Sequence, residues 1–335
     1  MTGLADLQTI WAFIIAFAIF AYVVMDGFDL GIGILFPFFR PGTERDTAMN
    51  SVAPVWDGNE TWLVLGGGGL MAAFPLAYAI ILPALYAPLI AMLLALIFRG
   101  VAFEFRWRDP AHRRFWDISF IFGSTVAALA QGITLGALLQ GIAVEGRSYA
   151  GGWWDWLSPF SILVGVSLVV GYALLGATWL IMKTEGELQE HCYRLAWWLG
   201  AGTVAGIAAV SAATPFLQAA YYEHWFSWPQ VLFTAQVPLL VIIATVVFFV
   251  SLRRRWEYWP FLIALAFFAL GLMGLGISMY PYVVPEAVTI WDAAAPDSSL
   301  IFMLIGAGIL IPIILTYTGY AYWIFRGKTG HEGYH

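Results

Sequence analysis

Charged residues are scarce in this chain of 335 amino acids. They make up 11% of it, whereas a soluble globular domain carries about 25%. Hydrophobic residues account for 61%, and the mean hydropathy is +0.81. The loops between apolar stretches are too short to form a separate soluble domain. The composition therefore predicts an all-α, polytopic transmembrane protein that forms a single integral-membrane domain over residues 1–335.

Cysteine is almost absent, since Cys192 is the only one. The chain therefore has no internal disulfide, no cysteine-based metal site and no covalent haem attachment. We expect Cys192 to be a small buried hydrophobic residue. We also expect no cleavable signal, because the first apolar run lacks a basic leader and continues too long.

Histidine is absent from the predicted spans. All five histidines fall in or beside predicted loops, or in the C-terminal tail: His112, His191, His224, His331 and His335. A haem buried in a helical bundle usually needs a histidine ligand. The sequence therefore predicts no haem or metal ligand in this chain, and any redox cofactors should lie mainly in a partner.

A phosphate-binding loop is also absent. Gly66-Gly67-Gly68-Gly69 lies within an apolar span and does not follow a strand. It is typical of close helix packing in membranes, not of phosphate binding. No feature predicts a nucleic-acid partner.

Nine apolar stretches are long enough to span a bilayer, which requires about 20 residues. Their predicted ranges are 7–38, 49–74, 77–105, 117–141, 159–183, 192–219, 229–251, 258–281 and 298–325.

Basic residues predict the orientation of the chain. Lys and Arg occur after spans 1, 3, 5, 7 and 9, whereas the alternate loops contain only Arg147. Because positive charge stays in the cytoplasm, we expect a periplasmic N-terminus and a cytoplasmic C-terminus.

Four carboxylates interrupt the first two spans. Asp26 and Asp29 form one i, i+3 pair, and Asp57 and Glu60 form another, so each pair faces one side of its helix. Asp29 and Asp57 are each about 14 residues from the loop near Thr43, which predicts a similar depth. Ionisable groups at the bilayer centre cost ~2.5–3.5 kcal/mol each. A proton path or ion site is therefore favoured over structural hydrogen bonding between helices.

Further polar positions lie near these acids. Arg99, about seven residues inside span 3, either pairs with an inner acid or anionic cofactor group, or extends to the interface. Asp117 suits a charge at the start of a helix, and a proton-path role is a further possibility. Pro54, just before the second acidic pair, predicts a kink that admits water. We expect Gln131, Thr134 and Gln140 to form hydrogen bonds between helices.

Several motifs resemble subunit II of the cytochrome bd-type quinol oxidases. The resemblance covers nearly the whole chain, and its C-terminal motifs are similar to the cyanide-insensitive branch. The motifs are MDGFDLG (25–31), WDGNE (56–60), FRGVAFE (98–104), YP (280–281), TIWDAA (289–294) and FRGK (325–328).

The resemblance implies a redox complex in the cytoplasmic (inner) membrane of a bacterium. Subunit II would pair with a larger subunit I that carries haem b and haem d, or haem b in place of d, and with a possible small third subunit. The complex would oxidise ubiquinol near the outer face and reduce oxygen to water with cytoplasmic protons. A structural quinone on subunit II is a further implication.

The resemblance also assigns roles to residues. It places Asp26, Asp29 and Asp57, together with Trp56 and Arg99, at the subunit interface and in proton supply. Position alone adds Glu60 and Asp117 to the proton path. No catalytic residue is assigned to this chain. Two alternatives stay open: a proton-coupled secondary transporter that uses the same acids, and a scaffold without a proton role.

Overall fold

Helices dominate residues 6–329, the part of the chain that this computed structural model describes. The helices are α1 Leu7–Leu35, α2 Thr43–Asn50, α3 Trp56–Ala73, α4 Pro75–Ala84, α5 Tyr86–Arg108, α6 Arg113–Leu139, α7 Pro159–Lys183, α8 Gly186–Ala213, α9 Ala219–Phe226, α10 Val231–Thr234, α11 Gln236–Arg253, α12 Trp259–Met279, α13 Ile290–Ala293 and α14 Asp297–Ile324. Two antiparallel hairpins pair β1 Val144–Glu145 with β2 Ser148–Tyr149, and β3 Tyr282–Val284 with β4 Val288–Thr289. The predicted all-α polytopic class is confirmed.

Within residues 6–329, eight helical segments are long and apolar enough to cross a membrane. They are Leu7–Phe38, Tyr86–Arg108, Pro110–Leu139, Pro159–Lys183, Gly186–Phe216, Val231–Arg253, Trp259–Met279 and Asp297–Ile324. The predicted count of nine also included α3. That helix has 18 residues, about 27 Å at 1.5 Å per residue, but Asp57, Asn59 and Glu60 make its first turns polar.

Three predicted boundaries need correction. The helix of the second span begins at Trp56, not near residue 49, because the preceding residues form the end of α2 and the turns around Pro54. The third span is two helices, α4 and α5, interrupted at Leu85. Pro88 has no N–H to donate to the carbonyl of Ala84, which favours a break at this point. The sixth span begins earlier than predicted, with α8 at Gly186, and α8 ends at Ala213.

Helix α1 lies at the centre of the bundle and packs against α3, α6 and α7. Its approach to α7 is close, because a Cβ at Gly31 would overlap the carbonyl oxygen of Tyr172 and one at Gly176 would overlap the backbone of Gly31. Consecutive helices from α5 to α8 pack side by side, and α12 adds to α7. Helix α14 contacts α1 and α3 but leaves most of its large side chains exposed.

One end of the bundle, here called the basic end, is where α1, α5 and α7 finish and where α6 and α8 begin. Ion pairs connect its loops, including Arg40 with Glu187 at 2.7 Å. Lys328 donates to Glu257 at 2.8 Å. Hydrogen bonds from Lys328 and Gln189 hold the pKa of the Glu257 carboxyl below its usual range. Because α1 runs towards this end, later residues of α1 lie closer to it.

Candidate functional site

A buried charged cluster, here called the Arg99 cluster, joins α1, α3 and α5. Arg99 Nη1 lies 2.9 Å from Asp26 Oδ1 and 2.7 Å from Glu60 Oε1, and its Nη2 lies 3.6 Å from Asp29 Oδ2. Arg99, Asp26 and Asp29 are fully buried, whereas the Glu60 side chain is 29% exposed. Arg99 therefore pairs with inner acids, and extension of its side chain to the interface is the wrong alternative.

Hydrogen bonds from Asn59 and Tyr322 hold the Asp29 carboxylate in the cluster. Asn59 Nδ2 donates to Asp29 Oδ2 at 2.7 Å, and the Tyr322 hydroxyl donates to Asn59 Oδ1 at 2.9 Å. The second oxygen, Asp29 Oδ1, is buried without a hydrogen-bond partner. Tyr322 thus brings the distant α14 to the site.

A stacked pair of aromatic rings lies beside the guanidinium of Arg99. Trp56 stacks on Phe103 at 4.8 Å with an interplanar angle of 2°. The Arg99 Cζ atom lies 5.8 Å from the Trp56 ring centroid and 5.6 Å from that of Phe103. Cation–π attraction to both rings helps to hold the cation in place.

A chain of polar side chains extends from Asp26 in the direction away from the basic end. Tyr22 lies one turn before Asp26 on the same face of α1. Gln131 Nε2 donates to the Tyr22 hydroxyl at 2.8 Å, and the Tyr172 hydroxyl donates to Gln131 Oε1 at 2.7 Å. The predicted interhelical role of Gln131 is confirmed. Gln140 likewise accepts a hydrogen bond from Ser158, whereas the Thr134 hydroxyl is buried without a partner.

Asp57 does not join the Arg99 cluster, although Asp29 and Asp57 are predicted to lie at a similar depth. The inward face of α3 is formed by Asn59, Trp62 and Gly66, at i, i+3 and i+7. Asp57 precedes Asn59 by two residues, about 200° around the helix, and is therefore exposed on the opposite face. Glu60 lies at the edge between the two faces.

Asp117 lies in a second charged group at the basic end. Its carboxylate accepts from Arg45 at 2.8 Å and from Arg106 at 2.5 Å, and Asp46 pairs with Arg106 and Arg113. The predicted position at the helix start is wrong, because α6 begins at Arg113 and its first turn contains no acidic residue. A proton-path role for Asp117 stays a prediction, and its two cationic partners also suit a structural role.

Sequence reasoning missed several residues of the site. Tyr322 contacts Asn59 across 263 residues, and Tyr172 contacts Gln131 across 41, so no local pattern connects them. Ser124 is buried in α6 against Gly33, which is on the Asp29 face of α1. The only signal in the sequence is the i, i+4 spacing of Asp29 and Gly33, which puts both residues on one face of α1.

The histidines of the described part do not line the Arg99 cluster. His112 pairs with Asp109 on the surface, His191 lies 3.6 Å from Glu44 at the basic end, and His224 contacts the carbonyl of Ser278. These positions do not fit an axial haem ligand inside the bundle. His331 and His335 lie outside the described residues.

The chain is similar to proteins of one family along nearly all its length. A family model described as "Cytochrome bd terminal oxidase subunit II" matches residues 7–325. "Cytochrome bd-I ubiquinol oxidase subunit 2" of Escherichia coli K12 is 32% identical, covering 97% of this chain and 96% of the relative. "Cytochrome bd ubiquinol oxidase subunit 2" of Bacillus subtilis is 28% identical, covering 98% of each.

A solved structure has the same fold. A chain of the bd oxidase from Geobacillus thermodenitrificans aligns with a TM-score of 0.79 at 18% identity, covering 95% of this chain and 99% of that one.

Proposed function

The chain belongs to the cytochrome bd terminal oxidase subunit II family, and from this premise we propose that it scaffolds the haem-carrying subunit I and supplies it with cytoplasmic protons. As a subunit of an oxidoreductase complex it has subunit I as its partner. The assignment replaces the transporter alternative.

The Arg99 cluster is the observation that carries the proton-supply proposal. Three carboxylates surround one guanidinium, and burial of unpaired charge is costly. A neutral cluster therefore requires two bound protons, so this group of side chains suits the storage and transfer of protons within a membrane.

The exposed face of α3 supports a path by which protons leave the Arg99 cluster towards subunit I. Glu60 is the partly exposed member of the cluster, and Asp57 lies beside it on that face. A methyl group added at Gly67 or Gly68, further along α3, would meet no atom within 4 Å, so another helix can approach closely there. We assign this face, together with Trp56, to the contact with subunit I.

The family also gives finer expectations for the complex. We propose that subunit I carries haem b and haem d, or haem b in place of d, and that ubiquinol is the electron donor. A small third subunit, a structural quinone on this chain and a location in the bacterial cytoplasmic membrane, with the basic end inside, belong to the same proposal. The basic loops support that orientation.

Neutral amide variants of the acids test the proton role. We expect Asp29→Asn and Asp57→Asn each to lower oxygen consumption with excess quinol while the haem content of the purified complex is retained. An amide keeps the shape of the carboxyl but cannot carry the proton. Glu190→Gln, which alters an exposed acid paired with Arg255, is the matched control and should leave turnover unchanged.

The outcomes separate the two parts of the proposal. Unchanged oxygen consumption in both aspartate variants would remove the proton role and leave a scaffold. Loss of haem from the membranes of both variants would assign these acids to assembly.

A further inference from the structure

Ser124 is a buried hydroxyl without a partner beside the Arg99 cluster. It is fully buried in α6, and its Oγ makes no hydrogen bond. Several helical hydroxyls of this chain donate to a carbonyl one turn earlier, as Thr125 does to Ile121 at 2.8 Å and Thr178 to Leu174 at 2.8 Å, but Ser124 does not. The unpaired state of the Ser124 hydroxyl needs an explanation, because buried polar atoms are generally hydrogen-bonded to protein or water.

Ser124 contacts α1 about one helical turn from Asp29, in the direction of the basic end. A Cβ at Gly33 would overlap Ser124 Oγ, so the two residues are in contact. Gly33 follows Asp29 by four residues and therefore lies one turn further along the same face of α1. The neighbouring Gly123 packs against the backbone of Arg99. Helices α1, α5 and α6 thus converge around this hydroxyl.

Two buried oxygens near Gly33 lack hydrogen-bond partners. Asp29 Oδ1 has no partner, and neither has Ser124 Oγ. The backbones of Asp29 and Gly33 are one helical turn apart, a rise of about 6 Å at 1.5 Å per residue. Two hydrogen bonds of about 2.8 Å through one water span a similar length. The absent side chain of Gly33 lets Ser124 Oγ reach the surface of α1 at this point.

We propose that Ser124 holds a water against Asp29 Oδ1 and that this water is the last proton relay on the cytoplasmic side of the Arg99 cluster. The proposal rests on the proton-supply function above and adds the residue through which the proton reaches Asp29. The water passes a proton to the carboxylate and regains one from the basic-end side, so no further reactant is required. Asp117 lies seven residues earlier on the same face of α6, towards that end.

Removing the Ser124 hydroxyl tests the relay in the assembled oxidase complex. Ser124→Ala deletes one oxygen and should keep the haem content and the thermal unfolding temperature. We expect turnover to fall about tenfold at pH 8, the equivalent of about 1.4 kcal/mol in a barrier. The deficit should shrink at pH 6, because protons are then a hundredfold more abundant. The turnover of Ser124→Cys, which keeps a weak S–H donor, should lie between those of the unaltered complex and Ser124→Ala.

Thr125→Val is the matched control, because the Thr125 hydroxyl is already bound to Ile121. It should leave turnover and its pH profile unchanged. A Ser124→Ala complex with the turnover and pH profile of the unaltered complex, alongside a slow Asp29→Asn complex, would overturn the relay and leave proton supply standing. Normal turnover in both Asp29→Asn and Asp57→Asn would instead overturn the proton-supply function itself.

A direct observation does not depend on how the variants fold. A high-resolution map of the complex should show a water within hydrogen-bonding distance of both Ser124 Oγ and Asp29 Oδ1. An apolar, closed gap between the two side chains would overturn the proposal.

Discussion

At the scale of single residues, Arg99 is the centre of the site. It contacts three carboxylates from two other helices and two aromatic rings, and it has no exposed surface. The carboxylates depend on it, because a buried acid that loses its cation is left with an uncompensated charge or must bind a further proton.

Replacing Arg99 should therefore destabilise the protein strongly. We expect Arg99→Gln to lower the free energy of unfolding by about 3–5 kcal/mol, the usual cost of breaking a buried ion pair. Arg40→Gln is the control, since Arg40 and Glu187 are both largely exposed and such pairs contribute about 0–1 kcal/mol. Thermal unfolding of the purified complexes measures both. Equal effects of the two substitutions would contradict the central role of Arg99.

At the scale of helices, the contact of α1 with α7 fixes the position of the aspartates. The backbones meet at Gly31 and Gly176, so α1 cannot rotate or slide without a collision. Gly31 is two residues from Asp29, and this contact therefore sets how far the acids extend towards α3 and α5.

A single methyl group at this contact should disturb the whole site. We expect Gly31→Ala to cost about 1–3 kcal/mol or more, because the new atom meets the backbone of Tyr172 and cannot be accommodated by a side-chain rotation. Gly271→Ala, in α12, has no atom within 4 Å and should be neutral or slightly stabilising. The thermal unfolding temperature and the oxygen consumption of the two variants are the measurements. A Gly31→Ala protein with unchanged stability would show that the α1–α7 contact has room to relax.

At the scale of the whole molecule, the bundle is unevenly covered. Helix α7 is largely buried, whereas α14 and the outer face of α3 are open. The outer face of α3 carries Asp57 and two glycines without neighbours, which is a poor surface for lipid but a suitable one for another helix.

A large side chain on this face should block assembly without unfolding the chain. We expect Gly68→Leu to reduce co-purification of the haem-carrying subunit about tenfold, the equivalent of about 1.4 kcal/mol in binding. Gly271→Leu, equally open but on α12, should leave co-purification unchanged. Full recovery of the haem-carrying subunit with Gly68→Leu would place the contact on another face.

The sequence by itself determined the class of the protein and the identity of its polar residues. Scarce charge and continuous apolar runs of about 20 residues predict membrane helices, which satisfy their backbone hydrogen bonds internally, and acids within such runs stand out because they are costly there. Only the tertiary structure decided which acids meet. The face of α3 that turns inward is chosen by packing of Asn59, Trp62 and Gly66 on α1, and this choice brings Glu60 to Arg99 and leaves Asp57 outside. Tyr322 and Ser124 reach the cluster from distant helices, and no spacing within one helix encodes a contact of that kind.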